Sequence, residues 1–168
     1  MYRPVTAHQQ WLTAAVASLN GVAGTIHVER NKDLYLTAAV NIPPPVIAVV
    51  GHVVRGKGMA GLAQVRKVPV QTCDLQNDSS GDIRPGAKAV DAQAAIAVPV
   101  LDAEQNVVAV VGFAWGRPGE LDSPLQKLIN NKVSEFGALL QSGGPGEIDD
   151  SLSMPPPIDR ADEPSGRS

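Results

Sequence analysis

Two apolar segments in the second half of the chain restrict its fold more than any other feature. Residues 94–101 and 107–115 are apolar at nearly every position, and the polar stretch Asp102–Asn106 separates them. Two such segments joined by a short polar stretch predict a β-hairpin. Because both of its faces are apolar, this hairpin should lie at the centre of a sheet that is covered on both sides. Pro99 cannot donate a backbone hydrogen bond, so it should lie at a bulge or an unpaired position.

The N-terminal residues predict a helix with one apolar face. Thr6-Ala-His-Gln9 has the form of a capping box, in which the side chains of Thr6 and Gln9 satisfy free backbone groups at the helix start. Apolar residues recur at helical spacing after it, namely Leu12, Ala15, Val16, Leu19 and Val22, with Trp11 beside them. A stripe of this kind predicts that the helix packs against a sheet or another helix.

A second hairpin should follow this helix. Residues 25–30 and 34–40 alternate between apolar and other side chains, and residues 31–33 (Asn-Lys-Asp) are typical of a turn. In the first of these strands the alternation places Ile26 on the inner face and His27 on the outer face.

The next segment predicts two short helices and an edge strand. Three consecutive prolines end the second strand, because proline has no N–H for a ladder. The valines of residues 46–54 fit a buried helix of about two turns that contains His52 and ends at Gly56. Residues 59–66 predict another short helix, and residues 68–72 predict a strand whose proline favours an edge position.

The remaining chain predicts a long loop, a long helix and a tail. Asp74–Gln93 is too polar for a regular apolar face, and loops of this length in compact domains are usually functional or disordered. Residues 123–126 (Ser-Pro-Leu-Gln) predict a helix start, and the glycine-rich residues 143–146 predict its end. The apolar stripe of this helix comprises Leu125, Leu128, Ile129, Val133, Phe136 and Leu140. We therefore expect one domain over residues 1–142 and a disordered Gly/Pro/Ser/Asp-rich tail over residues 143–168.

Composition excludes several classes of partner. The net charge is −3 and no Lys/Arg-rich block is present, which argues against nucleic acids. The longest apolar runs are shorter than the about 20 residues that span a bilayer, and the first residues lack the apolar core of a signal peptide. A single cysteine allows no internal disulfide. These features predict a cytoplasmic protein that binds neither nucleic acid nor membrane.

The order of segments in the middle of the chain resembles the core of a GAF domain. The resemblance rests on Gly-Lys-Gly-Met-Ala-Gly-Leu-Ala from Gly56, Val-Pro-Val-Gln-Thr-Cys-Asp-Leu from Val68, a polar loop, and Ala-Ile-Ala-Val-Pro-Val from Ala95. It extends over residues 10–141. It implies an α/β (α+β) fold with a central antiparallel sheet, the terminal helices on one face, and the short helices and long ligand loop on the other. It also implies a small-ligand pocket on the second face and a homodimer formed through the terminal helices.

The candidate ligand-binding residues follow from this placement of the pocket. They are Cys73, Asp74, Asp82, Arg84, Asp91 and Gln93 on the long loop, with His52 and Met59 on the short helices. Pockets commonly combine apolar walls with a few polar groups of this kind. Arg84 is the best partner for an anionic ligand group, because its planar guanidinium matches carboxylates and phosphates. Asp82 and Asp91 would orient Arg84 or accept hydrogen bonds from the ligand.

The residues give little support for catalysis or metal binding. Some GAF domains attach a bilin through cysteine, but the loop after Cys73 has no histidine or aromatic residue to pack a tetrapyrrole. GAF-type free methionine sulfoxide reductases use several cysteines, and a disulfide-forming mechanism needs a second thiol. His8, His27 and His52 show no helical pairing for a metal, and Gly51–Gly58 fits a phosphate loop except at its last position. We therefore expect no enzymatic activity and no metal, and the sequence leaves the cofactor unknown.

Two functions remain open from the sequence. The first is a small-molecule-binding sensory or regulatory domain whose ligand is unknown. The alternative is a protein-interaction or dimerisation scaffold that has the same fold and no functional pocket. Cavity volume separates the two, because side chains should fill the interior of a scaffold domain.

Overall fold

The computed structural model describes residues 3–72, 93–116 and 122–150, with the backbone alone for 142–150. The helices in this part are α1 (Thr6–Ser18), α2 (Pro44–Val50), α3 (Gly58–Arg66) and α4 (Ser123–Asp150). The strands are β1 (Ala23–Arg30), β2 (Asp33–Val40), β3 (His52–Val53), β4 (Val70–Thr72), β5 (Ala94–Leu101) and β6 (Val107–Trp115). None of the helices described is both long enough and apolar enough to cross a membrane.

The described strands form one antiparallel sheet in the order β3-β2-β1-β6-β5-β4. Both predicted hairpins, β1–β2 and β5–β6, are confirmed. At the tip of the first, Asn31 and Lys32 have φ values of 54° and 75°, as a type I′ hairpin turn requires. β4 pairs with β5 only as far as Ala97. Among the described strands, Pro99 therefore lies where β5 has a neighbour on one side only, which accommodates a residue that lacks an N–H.

The terminal helices cover one face of the sheet, as expected. Leu12 of α1 and Phe136 of α4 are completely buried there, against Ile26, Val111 and Phe113 of the sheet. α2 and α3 lie on the other face, where Ala63 and Val110 are buried in a smaller cluster. The predicted α+β arrangement is therefore confirmed for the residues described.

A bulge in β2 fixes the start of α1. The register between β1 and β2 shifts after Ile26, so that Thr37 has no partner of its own in β1. Its carbonyl oxygen accepts a hydrogen bond from Val5 N at 2.8 Å, and its hydroxyl lies 2.8 Å from Nδ1 of His8. The ring of His8 in turn meets Phe136 edge-on, with 5.1 Å between centroids. The bulge thus ties the sheet to both terminal helices.

Both predicted helix caps are wrong in detail. The residue before α1 is Val5, and no side chain caps that helix. Gln9 bonds to β2 instead, where Nε2 donates to Ala39 O at 2.9 Å and Oε1 accepts from Ala39 N at 3.1 Å. In α4 the cap is Asp122, whose Oδ1 accepts the N–H of Leu125 at 2.9 Å. The Gln9 side chain can either cap the helix or bond to β2, and in the folded chain the bonds to β2 replace the local cap.

Two predicted helix ends also differ from the structure. α4 continues to Asp150, past the glycines where we expected it to stop. α2 ends at Val50, and His52–Val53 forms β3 against β2 rather than the last turn of a helix. The β-branched residues that made the helix prediction ambiguous also favour strands, and an available sheet edge decides for the strand.

Candidate ligand pocket

Small residues on three central strands leave a hollow on the α2–α3 face of the sheet. In one row across the strands, Ala23 of β1 pairs with Ala114 of β6, which pairs with Ala95 of β5. In the next row, Thr25 pairs with Gly112, which pairs with Ala97. The opposite face carries the large side chains of the same strands, such as Ile96, Phe113 and Trp115. The alternation of small and large residues therefore builds a packed core on one face and a hollow on the other.

α2 and α3 cover part of this hollow and leave a half-open cavity of about 150 Å³. Its roof consists of Ile42, Val46, Val50, Val53 and the first residues of α3, Gly58–Ala60. Within the part of the chain that the structure describes, its polar lining side chains are those of Thr25, His27 and Lys57. Lys57 is exposed and therefore lies at the rim. A mostly apolar enclosure with a few polar groups is the usual form of a small-molecule site.

Glycines position the start of α3 over the cavity. Gly56 and Gly58 have φ values of 84° and 65°, a left-handed backbone conformation that glycine adopts without strain and that turns the chain sharply before α3. A Cβ on Gly61 would lie 2.8 Å from the carbonyl carbon of Gly56, so only glycine lets the helix pack this closely on its own turn. This close packing sets Lys57 at the rim and Met59 in the wall.

Among the described residues that line the cavity, His27 is the buried polar one. Its side chain is 3% exposed, and its Nε2 donates to the carbonyl oxygen of Val50 at 2.9 Å. Burial lowers the pKa of His27 to about 4, although the hydrogen bond to Val50 opposes the change. The ring is therefore neutral near pH 7. Its other nitrogen, Nδ1, has no hydrogen-bond partner among the residues described.

The alternation in the sequence placed His27 on an outer face of the sheet, and this prediction is wrong. β1 lies between β2 and β6, and both faces of a central strand are covered. The signal that could have found the pocket is the alternation of small with large residues in 94–97 and 111–115. A run of small residues on one face of a central strand leaves space that other side chains must fill or border.

The structure describes three of the eight predicted site residues, namely Met59, Gln93 and His52. Met59 lines the cavity. Gln93 precedes β5, where its backbone N–H donates to Trp115 O at 2.8 Å, and its side chain does not line the cavity. The other loop candidates, Cys73, Asp74, Asp82, Arg84 and Asp91, lie outside the residues described.

His52 lies at the edge of the sheet, away from the cavity. It is on β3 and exposed, with Nε2 2.7 Å from Oδ2 of Asp33 and its ring stacked on Tyr35 at 4.7 Å. Burial raises the pKa of Asp33, but hydrogen bonds from His52 and from the backbone N–H of Arg55 outweigh it and leave that pKa below its usual value. The prediction that His52 belongs to a helix beside the pocket is therefore wrong, because the residue pairs with Tyr35 of β2.

Within the described residues, no three histidine, cysteine or carboxylate side chains lie together as a metal site would require. From residues 3–72, 93–116 and 122–150, the cavity has a mostly apolar lining with one buried acceptor, one hydroxyl and one cation at the rim.

The chain matches no protein-family model and no curated protein. Solved structures, however, share its fold. The GAF domain of an Acinetobacter phosphoenolpyruvate-protein phosphotransferase is 15% identical over 79% of this chain and 78% of that one, with a TM-score of 0.62. The GAF domain of the same kind of protein from Coxiella burnetii is 11% identical, over 85% and 96% of the two chains, with a TM-score of 0.63. The chain therefore has a GAF-like fold, as its segments predicted.

A third structure corrects one expectation. The type II free methionine-R-sulfoxide reductase of Thermoplasma acidophilum is 14% identical over 82% of this chain and 92% of that one, with a TM-score of 0.66. An enzyme thus has the same fold. Our expectation that the chain is not an enzyme is therefore wrong, because the same fold also occurs in an enzyme.

Proposed function

We propose that this GAF-like domain binds a small molecule in the cavity between its sheet and α2–α3 and acts as a cytoplasmic sensory or regulatory domain. The observation that carries the proposal is the cavity itself, about 150 Å³ of space above two rows of small residues. Apolar cavities of this order accept molecules of the size of benzene. The ligand should therefore be small, with a predominantly apolar body.

The cavity also favours this function over a scaffold domain. A scaffold needs no internal space, and each unfilled volume in a core lowers stability through lost contacts. Here Ala95, Ala97, Gly112 and Ala114 border the space on the two strands that the sequence marks as most apolar. Larger residues at these positions would have filled it, so the small ones support a use for the space.

The proposed ligand contacts come from two sets of residues, those that line the described cavity and those of the loop predicted from the sequence. His27, Thr25 and Met59 line the cavity described here. For Cys73, Asp74, Asp82, Arg84 and Asp91 we propose a second set of contacts from the loop, with Arg84 pairing any anionic group of the ligand. Replacing Arg84 with alanine should then weaken the binding of anionic ligands and leave the binding of neutral ones unchanged. Equal binding of both kinds by the variant and the wild type would remove Arg84 from the site.

A cavity-filling substitution tests the function directly. Ala95→Leu adds three carbon atoms to the floor, whereas Ala48→Leu makes the same change at an exposed position of α2. Native mass spectrometry of the purified protein should detect a retained small molecule in the wild type and in Ala48→Leu, and not in Ala95→Leu. A panel of small metabolites and aromatic compounds, screened by calorimetry, covers a ligand that is lost during purification. Equal binding by both variants would contradict the cavity as the site.

We further propose that the domain forms a homodimer through α1 and α4. Leu128 of α4 remains 40% exposed, while Ile129 beside it is buried against the sheet. An exposed leucine on a terminal helix suits a two-fold contact, in which the same patch meets itself. Sedimentation velocity should find a dimer at micromolar concentration, and Leu128→Lys should shift it towards monomer. A wild type that sediments only as a monomer would refute the dimer.

A further inference from the structure

His27 has one ring nitrogen in use and one unused. Nε2 lies 2.9 Å from the carbonyl oxygen of Val50, whereas Nδ1 has no hydrogen-bond partner in the described parts of the chain and is shielded from water. Buried polar atoms in folded proteins are rarely unpaired, so each exception calls for a physical explanation. The ring also lines the cavity, which places the unused nitrogen on a residue that a bound molecule would contact.

The hydrogen bond to Val50 decides what Nδ1 can do. A carbonyl oxygen only accepts hydrogen bonds, so the hydrogen of the neutral ring must be on Nε2. Nδ1 then carries a lone pair and acts only as an acceptor. A carbonyl or carboxylate group of a ligand would face this lone pair with a lone pair of its own and be repelled. A hydroxyl or N–H group would be attracted.

We infer that the cavity takes a small molecule with an apolar or aromatic body and one hydroxyl or N–H group, which donates a hydrogen bond to Nδ1 of His27. The inference rests on the ligand-binding function proposed above and adds the chemistry at one end of the site. Thr25 lies two residues earlier on the same face of β1 and supplies a hydroxyl to the same cavity. A ligand hydroxyl could thus donate to His27 and accept from Thr25.

Access to Nδ1 requires a small adjustment of the wall. Because the atom is covered, a bound donor reaches it after a lining side chain shifts. Met59 lines the same cavity, and its unbranched side chain has three rotatable bonds, so it adapts more easily than the valines and isoleucine of the roof.

Phenol and toluene test the inference, because they have the same shape and differ in one hydroxyl group. Calorimetric titration of the wild type at pH 7.5 should show phenol binding about three- to tenfold more tightly than toluene, the ratio expected for one net hydrogen bond. The ¹⁵N resonance of Nδ1 of His27 should move towards the position of a hydrogen-bonded ring nitrogen with phenol and stay in place with toluene. This comparison uses the wild type alone and does not depend on the folding of a variant.

Variants show which residues cause the preference for phenol over toluene. In His27→Phe, which keeps a ring and removes the acceptor, the preference for phenol should disappear. In Ala95→Leu both probes should bind weakly, while Ala48→Leu should bind them as the wild type does. Toluene binding as tightly as phenol, or more tightly, with no shift of Nδ1, would overturn the inference and leave the cavity as a binding site. Binding of neither probe by the wild type would overturn the inference and the proposed function together.

Discussion

The two buried histidines should make the fold sensitive to mild acid. His8 and His27 are each 3% exposed, and burial lowers the pKa of each from 6.5 to about 4. A protonated His27 would carry a hydrogen on Nδ1 with no acceptor described near it. The unfolded chain binds these protons below pH 6.5, whereas the folded chain binds them only near pH 4. The free energy of unfolding should therefore fall as the pH falls through this window.

The size of the effect follows from the two pKa values. At pH 5 an unfolded histidine is almost fully protonated and a folded one almost fully neutral, which costs about 2 kcal/mol for each residue relative to pH 7.5. His8 and His27 lie in different parts of the structure, so their effects should add to about 4 kcal/mol. The low pKa of Asp33 also makes the free energy of unfolding fall with falling pH, but only below the ordinary pKa of 3.8, which lies outside this window.

Urea denaturation at pH 7.5 and pH 5 measures the change. His8→Asn places an amide group near Thr37, and His27→Gln places an amide N–H near Val50, so both keep a hydrogen bond and remove a titrating ring. The double variant should lose most of the pH dependence between these two values. His52→Gln, at the exposed edge, is the matched control and should retain it. A wild-type change below about 0.5 kcal/mol, or an unchanged drop in the double variant, would refute the reasoning.

Three further predictions concern the fold. Phe136→Ala should lower the free energy of unfolding by about 3–5 kcal/mol, because Phe136 is completely buried. Leu128→Ala on the same helix should lower it much less, because Leu128 is partly exposed. Equal losses for the two variants in urea denaturation would contradict the packing of α4. Gly24→Ala should lower the free energy of unfolding by about 1–3 kcal/mol, since a Cβ there would lie 2.7 Å from Cγ2 of Val16 and 3.2 Å from the carbonyl oxygen of Gly112. A melting temperature equal to that of the wild type would contradict this prediction. Limited proteolysis should remove the residues after α4 and leave a folded core, and a loss of cooperative unfolding on removal would show that the core needs them.

Local patterns predicted most of the strands because their signals were of short range. The β5–β6 hairpin follows from apolar residues on both sides of a polar turn, and its bounds in the structure are those expected. The burial of Leu12, Val16, Ile129, Val133 and Phe136 follows equally from helical spacing. These features depend on residues close to one another in the chain, so sequence alone carries them.

The helix ends were less well predicted because each has a tertiary alternative. Gln9 can complete a capping box, but in the folded chain Ala39 of β2 offers it both a donor and an acceptor. Residues 52–53 can extend a helix, but the free edge of β2 pairs with them. In both places a partner remote in sequence outweighs a local preference of similar strength.

The features of the pocket also come partly from the local sequence and partly from the tertiary structure. The sequence by itself determined that small residues alternate with large ones in β5 and β6, and that glycines turn the chain before α3. Only the tertiary structure decided that the small residues of β1, β6 and β5 lie in register, that α2 and α3 cover them, and that His27 faces this space with its Nε2 on Val50. The physical reason is that strand alternation fixes which residues share a face, whereas the neighbours of that face come from segments far apart in the chain.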